Sequence, residues 1–151
     1  MDKKRLSKIL ARANSGEVAA LSTDIQITYR PVIVKEPGKT LAMIKLRDPV
    51  KEGVFYIGEV IVCEASVEID GVQGISVLMG DDAEKALDMA IIDAAVNKGV
   101  FNDFERLAEL ELKQNIREMQ EHALNLRTMV NFETMDQEAP NDLNAFQKTQ
   151  L

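Results

Sequence analysis

The side chains that most often carry enzyme chemistry are scarce in this sequence. Of its 151 residues, one is a histidine and one is a cysteine, which cannot build a His/Cys metal cluster. The pattern around His122 predicts a helix surface, and Cys63 stands on the apolar face of a predicted strand, where a buried thiol is inert. There is no glycine-rich phosphate loop and no C-x-x-C pair. We therefore expect no catalytic residue, no cofactor and no metal on this chain.

Two carboxylates stand where a charge is unexpected. Asp93 lies inside the apolar run from Met89 to Val96, where an unpaired carboxylate is costly. It therefore either accepts a structural hydrogen bond or contacts a substrate or another subunit. Glu59 follows Gly58 in a predicted strand, and it is either a cap at a strand end or a functional contact.

The composition is that of a soluble, acidic domain. Hydrophobic residues make up 46% and charged residues 28% of the chain, and the formal net charge is −7. An acidic protein repels nucleic acids and phosphate-rich ligands at long range, so most cationic contacts to an anionic substrate would come from a partner. No apolar run is long enough for a membrane span, and no apolar core follows the basic start of the chain, as a signal peptide requires. We expect a cytoplasmic protein that binds neither nucleic acid nor membrane.

The first half of the sequence predicts two short helices and two strands. Apolar residues at helical spacing predict a helix over 3–13, and a second helix is predicted over 16–22. β-branched and aromatic residues predict a strand over 25–34. The sequence Glu36-Pro37-Gly38-Lys39 favours a type II turn, from which a strand returns over 40–46.

The second half predicts a hairpin and two helices. A long strand over 54–69 is interrupted at Gly58-Glu59, which indicates either a bulge or a close backbone approach. Its alternation places Phe55 on the face of Ile61 and Cys63. A tight turn leads to a return strand over 72–79. Helices are predicted over 81–98, with Asp81 as N-cap, and over 102–129.

These elements predict an α+β fold. The sheet is antiparallel, with four strands or more, and the short N-terminal helices and the two C-terminal helices pack on it. One domain is predicted over 1–135. The polar residues 136–151 are predicted to be either disordered or bound to a partner.

The last helix carries a heptad-like apolar seam. Its members are Leu112, Ile116, Met119, Ala123, Leu126 and Val130. The seam spans under three heptads, which favours packing within the chain or on a different chain over a homomeric coiled coil.

Two motifs carry a resemblance to a known family. The first is Phe55-Tyr56-Ile57-Gly58-Glu59, continued through Gly80 to the helix ending Ile91-Ile92-Asp93-Ala94-Ala95; the second is Val130-Asn131-Phe132-Glu133-Thr134-Met135. In this order and spacing they resemble the PhnG family, the G subunit of the bacterial carbon–phosphorus lyase core complex. The resemblance marks these positions as partner-binding or motif residues: Gly58, Glu59, Gly80, Asp93, Val130, Asn131, Phe132, Thr134 and Met135.

The resemblance implies a subunit of a multi-subunit transferase. With the H, I and L proteins, such a subunit takes part in transferring the ribose triphosphate moiety of ATP to a phosphonate, with displacement of adenine. It implies a core complex with the I, H and J subunits and closest contact with the I subunit. An iron–sulfur cluster and S-adenosylmethionine would belong to a partner subunit, and ATP would be a substrate of the complex. No catalytic residue carries over to this chain.

The chain departs from the family pattern at several basic positions. Glu64, Asp81, Met129 and Gln137 stand where the family usually has a cation, and Lys85 keeps one. These replacements argue against direct anion contact by this chain. Two readings stay open: an accessory subunit of the transferase, or a free-standing α+β binding or regulatory module that has lost the complex.

Overall fold

Three strands and four helices make up the part of the chain that the computed structural model describes, residues 2–48 and 50–130. In chain order they are α1 Lys3–Arg12, α2 Ser15–Tyr29, β1 Val32–Arg47, β2 Val54–Ile69, β3 Val72–Met79, α3 Ala83–Lys98 and α4 Phe104–Arg127. The strands form one antiparallel sheet in the order β1-β2-β3. The α+β class is confirmed, but the described residues form three strands and not the four or more predicted. None of the described helices is long and apolar enough to cross a membrane.

The predicted strand over 25–34 is wrong for its first part, because α2 continues to Tyr29, whereas its last residues, from Val32, belong to β1. One side of this helix is buried at helical spacing, by Val18, Leu21, Ser22 and Ile25. Packing of that side against α3 outweighs the β preference of the branched residues, since propensity is a weak prior. The helix ends at Arg30, whose φ of 45° is left-handed, directly before Pro31.

The predicted turn at Glu36-Pro37-Gly38-Lys39 is also wrong, because β1 runs through it without reversing. Register shifts between Ile33 and Lys35 and between Lys35 and Gly38 flank the proline. β1 is an edge strand, and an edge with bulges accommodates a residue that has no N–H for the ladder. One long strand therefore replaces the two short ones.

The core is built around α3 and includes side chains of β2, β3 and all the described helices. Helix α3 packs on β2 and β3, and α2 packs on α3. The N-cap of α3 is Asp82 and not the predicted Asp81, because the Asp82 side chain accepts a hydrogen bond from the backbone N–H of Lys85 at 2.9 Å. The largest fully buried side chains include Leu6, Ile9, Leu10, Leu21, Ile69, Ile92 and Leu107.

The first half of α4 is bonded to α1. Arg5 forms a two-pronged ion pair with Glu111, and the side chain of Gln114 donates to the carbonyl of Ile9 at 2.9 Å. Of the two C-terminal helices, α3 therefore packs on the sheet, whereas the hydrogen bonds of α4 to other elements go to α1.

The chain divides into two units, Met1–Glu118 and Met119–Leu151. The described part of the second unit is the end of α4 and residues 128–130. Every seam residue of α4 from Leu112 to Val130 is exposed. The predicted tail 136–151 lies outside the described residues, and the single domain over 1–135 stays a prediction.

Candidate functional site

The feature that stands out is a two-stranded arm. β3 pairs with β2 only as far as Val62, opposite Met79. Beyond that point β1 and β2 continue alone, from the pair Leu41 and Ile61 to the pair Arg47 and Val54. We call these residues, 41–47 and 54–61, the arm; it is roughly 24 Å long at the usual rise per residue. No side chain in it is buried.

The register assigns each arm residue to a face of the sheet. We call the face of the sheet that packs on α3 the inner face. Ser76 lies on the inner face, because its hydroxyl donates a hydrogen bond to the carbonyl of Ala86 in α3. Cross-strand partners share a face, so the pairs Ile44 with Gly58 and Leu46 with Phe55 lie on the opposite, outer face.

A bulge explains why Phe55 lies on the outer face. The pairing steps from Ile44–Gly58 to Lys45–Tyr56, which leaves Ile57 as an extra residue in β2. The predicted bulge at Gly58 is thus confirmed. The expectation that Phe55 shares a face with Cys63 is wrong, because one extra residue reverses the alternation of all residues beyond it.

The outer face is apolar and largely open to solvent. It runs from the arm across the sheet to β3, and Glu64 and Ser66 lie on it opposite Val77 and Ile75. Its apolar members are Ala42, Ile44, Leu46, Phe55, Val60, Ile75, Val77, Met79 and the buried Val62. Exposed fractions are 57% for Ile75, 56% for Val77 and 71% for Met79. Groups of exposed apolar side chains such as those of the arm and of β3 are typical of protein association sites. A two-stranded ribbon is also only marginally stable alone, which adds to the case for a partner.

The motif residues Gly58 and Glu59 both lie in the arm. A Cβ atom at Gly58 would have no other atom within 4 Å. A larger side chain would therefore fit within the chain, and the glycine leaves the outer face flat at this position. Glu59 lies inside β2, exposed on the inner face and opposite Met43. It is therefore not a cap at a strand end.

Gly80 belongs to the turn that starts α3. Its φ is 110°, a conformation that costs only glycine little, and its N–H donates to the carbonyl of Ile61 at 3.0 Å. This hydrogen bond joins the turn to β2 at the base of the arm. Gly80 thus has a structural role in the described chain.

Lys85 is a buried cation that joins α3 to the end of α1. Its Nζ donates to the carbonyls of Ala11 at 2.8 Å and Ala13 at 2.7 Å, just where α1 ends. Burial lowers the pKa of the Lys85 ammonium group, and the neighbouring Asp82 carboxylate opposes this shift. Hydrogen bonds, first from the Ser15 hydroxyl at 2.6 Å, lower the pKa of Asp82. The one basic position that matches the family pattern therefore serves packing, not anion contact.

Asp93 covers the free edge of β3. Its carboxylate accepts from the backbone N–H of Ile75 at 3.1 Å and lies 3.6 Å from the Nζ of Lys3. Asn97, one turn later, donates to the backbone carbonyl of Gln73 at 2.9 Å. Of the two readings of Asp93, the structure therefore shows the structural hydrogen bond. Its partner Asn97 was missed, although its spacing from Asp93 puts both on one helix face.

Gly74 is a second residue that sequence reasoning missed. A Cβ at this position would lie 2.3 Å from the Ala90 carbonyl oxygen and 2.3 Å from the Ala94 nitrogen. The backbones of β3 and α3 therefore touch. A glycine in the interior of a strand is the signal that could have found this contact.

The carboxyl group of Asp88 is expected to make the stability of the folded chain depend on pH. Burial raises its pKa above the ordinary 3.8, although hydrogen bonds from Ser22 and Gln26 oppose the shift. The stability that protonated Asp88 contributes is complete below pH 3.8 and is lost as the pH rises through the folded-state pKa. Asp88→Asn keeps the acceptor oxygen and removes the titration. We expect the stability of wild type relative to this variant to fall as the pH is raised above 3.8, measured by urea unfolding over a series of pH values.

The control for the Asp88 variant is Asp24→Asn, which removes an exposed carboxylate of α2. Both variants lose one negative charge, so the comparison cancels the change in net charge. A difference between wild type and Asp88→Asn that stays constant over this pH range would contradict the prediction.

Two of the cavities in the described part of the chain have distinct linings. One, of about 240 Å³, lies between α2 and the turn that follows α3 and is lined by Asp24, Tyr29, Phe101 and Asp103 among others. Another, of about 280 Å³, is lined mainly by apolar side chains, with Arg30 and Gln26 at its rim. Among residues 2–48 and 50–130, no group of three or more His, Cys, Asp or Glu side chains is placed to hold a metal.

Most of the second motif cannot be placed. Val130 is exposed, whereas Asn131, Phe132, Thr134 and Met135 lie outside the described residues. The interaction surface that the structure offers is therefore carried by the first motif, through the outer face and the arm.

Comparison with known proteins bears on the identity of the chain. No curated protein matches the sequence. The family model described as phosphonate metabolism protein PhnG matches residues 1–137, which include the arm, the sheet and all four helices. The chain therefore belongs to the PhnG family of phosphonate metabolism proteins.

Proposed function

We propose that this chain is an accessory subunit of the carbon–phosphorus lyase core complex. In that complex it takes part in the transfer of the ribose triphosphate moiety of ATP to a phosphonate, with displacement of adenine. The observation that carries the proposal is the exposed apolar outer face, which includes Phe55 and Gly58 of the first family motif. Membership of a phosphonate metabolism family supports the biochemical context.

The chemistry of the described residues supports an accessory role. Cys63 is fully buried in the core and cannot act as a nucleophile there. Asp93 and Lys85, the buried charged side chains on α3, are both engaged in hydrogen bonds within the chain. Catalytic groups, the iron–sulfur cluster and S-adenosylmethionine would then be supplied by the partner subunits.

The I subunit is the partner that we expect to cover the outer face, with the H and J subunits in the same core. Ile75→Lys puts a cation on the β3 side of that face, and burying an unpaired charge is costly. We expect binding to the I-type subunit to weaken at least about tenfold, measured by co-purification and by titration of purified proteins.

Ile27→Lys is the matched control for the partner test. Ile27 is 71% exposed on α2 and lies away from the sheet's outer face, so the same substitution should leave binding unchanged. Equal binding by both variants would remove the outer face as the interface. Failure of wild-type protein to bind the I-type subunit would favour the free-standing module instead.

The accessory role also predicts the activity of the separated chain. Purified protein alone should release no adenine from ATP and methylphosphonate. Addition of the H, I and L subunits should produce turnover, and Ile75→Lys should reduce it at subsaturating concentrations, where assembly limits the rate. Turnover by the chain alone at a rate near that of the full mixture would refute the proposal.

A further inference from the structure

The hydrogen-bonding direction along the free edge of β1 can be read from one backbone contact. The carbonyl of Ile61 accepts from Gly80, on the β3 side of β2, and so points away from β1. In an antiparallel pair, a residue that points away has a partner that does the same. Leu41, opposite Ile61, therefore directs its N–H and C=O outward. Alternation gives Met43 and Lys45 the same direction.

The two edges of the sheet differ in how their outward backbone groups are bonded. On β3, Asp93 and Asn97 bond the outward N–H of Ile75 and the outward carbonyl of Gln73. The first part of β1 carries Pro37 and two register shifts, devices that natural proteins use to keep strands from adding to an edge. From Thr40 to Arg47 there is no proline, and the register shift between Ile44 and Lys45 has its extra residue in β2, so the outward groups of β1 keep their spacing. This stretch is also the more apolar part of the strand.

We propose that the edge of β1 from Leu41 to Arg47 receives an extended strand of a partner polypeptide, which adds to the sheet as a fourth strand. The proposal rests on the proposed function, because the partner is taken to be a subunit of the same complex. Main-chain hydrogen bonds would supply affinity, and alternate side chains would supply specificity.

The side chains beside the edge define the partner strand. On the outer face, Ala42, Ile44 and Leu46 require apolar neighbours. On the inner face stand Lys45, which forms no ion pair with a described residue, and Arg47, whose closest carboxylate, of Glu52, is 3.9 Å away. Opposite charges on adjacent strands stabilise a sheet. Leu41 and Met43 precede these two cations on the inner face. The partner strand is therefore apolar beside them and carries acidic residues where it faces Lys45 and Arg47.

The main-chain contribution is tested by Met43→Pro against Met43→Ala. Both substitutions remove the side chain, but only proline removes the outward N–H, and it breaks no bond to β2. Binding to the I-type subunit should be about tenfold weaker for Met43→Pro than for Met43→Ala. Thermal unfolding of both variants alone checks that each is folded. Equal affinities of the two folded variants would overturn the inference.

Amide hydrogen exchange tests the same edge without any substitution. In the free chain the amides of Leu41, Met43 and Lys45 should exchange faster than those of Ala42 and Ile44, which bond to β2. In the complex the outward amides should slow by at least about a hundredfold. A complex in which their exchange is unchanged would overturn the inference while leaving the proposed function intact.

The charge of the partner strand is tested by Lys45→Glu against Lys51→Glu. Lys51 is an exposed lysine in the loop that joins β1 to β2, so it controls for charge alone. Lys45→Glu should weaken binding at least about fivefold more than Lys51→Glu. Equal effects of the two would overturn the acidic partner strand.

Two further outcomes separate the inference from its alternatives. Self-association of the free chain that Met43→Pro abolishes, seen by sedimentation, would assign the edge to a second copy and overturn the heterologous partner. Failure of the wild-type chain to bind any subunit of the complex would overturn the proposed function, and the inference with it.

Discussion

Gly74→Ala is expected to destabilise the chain by about 3 kcal/mol or more, at or above the top of the range for an overpacked core. The added methyl group would meet the backbone of α3 at Ala90 and Ala94, at distances of 2.3 Å. Backbone atoms cannot move aside as a flexible side chain can, so the strand and the helix would have to separate. Urea unfolding of the isolated protein measures the loss, and the midpoint of thermal unfolding should fall by about 10 °C.

Gly58→Ala is the matched control for this experiment. Gly58 is also inside a strand, but nothing lies within 4 Å of the added methyl group. The free energy of unfolding should change by less than about 0.5 kcal/mol. If Gly74→Ala were no more destabilising than Gly58→Ala, the close approach of β3 to α3 would be wrong.

Lys85→Met is expected to destabilise the chain by about 2 kcal/mol, within the usual cost of an unsatisfied buried polar group. Methionine matches the lysine side chain as far as Cε and keeps the contacts of that part with the core, so the change removes chiefly the ammonium group. Loss of the ammonium group leaves the buried backbone carbonyl of Ala13 without its hydrogen-bond donor. Relief from burying the charge offsets part of this cost, which keeps the expected value below that for Gly74→Ala.

The control for Lys85 is Lys113→Met on the exposed side of α4. It removes the same charge without removing a buried hydrogen bond, and we expect a change of less than about 0.5 kcal/mol. Chemical unfolding of both variants makes the comparison. Similar stabilities of the two would mean that Lys85 does not hold the end of α1 to α3.

Local signals in the sequence predicted the hairpin and the helices that follow it. Asp70 and Gly71 form the turn with positive φ at both residues, as this residue pair favours. The glycine at position 58 marked the bulge correctly. These features depend on a few neighbouring residues, and they need little information about the rest of the fold.

The failures came where packing over long distances decides the structure. Ile25 and Ile27 favour a strand locally, yet α2 buries Ile25 and exposes Ile27 because only a helix presents its apolar side to α3. Pro37 and Gly38 favour a turn locally, yet β1 continues because an edge strand can bulge around a proline. Neither outcome follows from the local residues alone.

The candidate surface was predicted in part. The first motif identified Gly58 and Glu59, and both lie in the arm. The face of Phe55 was predicted wrongly because the position of a bulge changes the side-chain alternation, and sequence periodicity cannot locate the extra residue. The covered edge of β3 was missed because it depends on Asn97 and Asp93 meeting a strand that lies about twenty residues earlier in the sequence.

The arm has a consequence for how much of this protein a cell retains. A newly made chain exposes apolar residues on an unsupported ribbon until another subunit arrives, and such surfaces bind chaperones and become accessible to proteases. Copies made in excess of the partner would then be degraded or would aggregate. We expect the steady-state amount of this chain to follow the amount of its partner, so that subunit balance is enforced after translation.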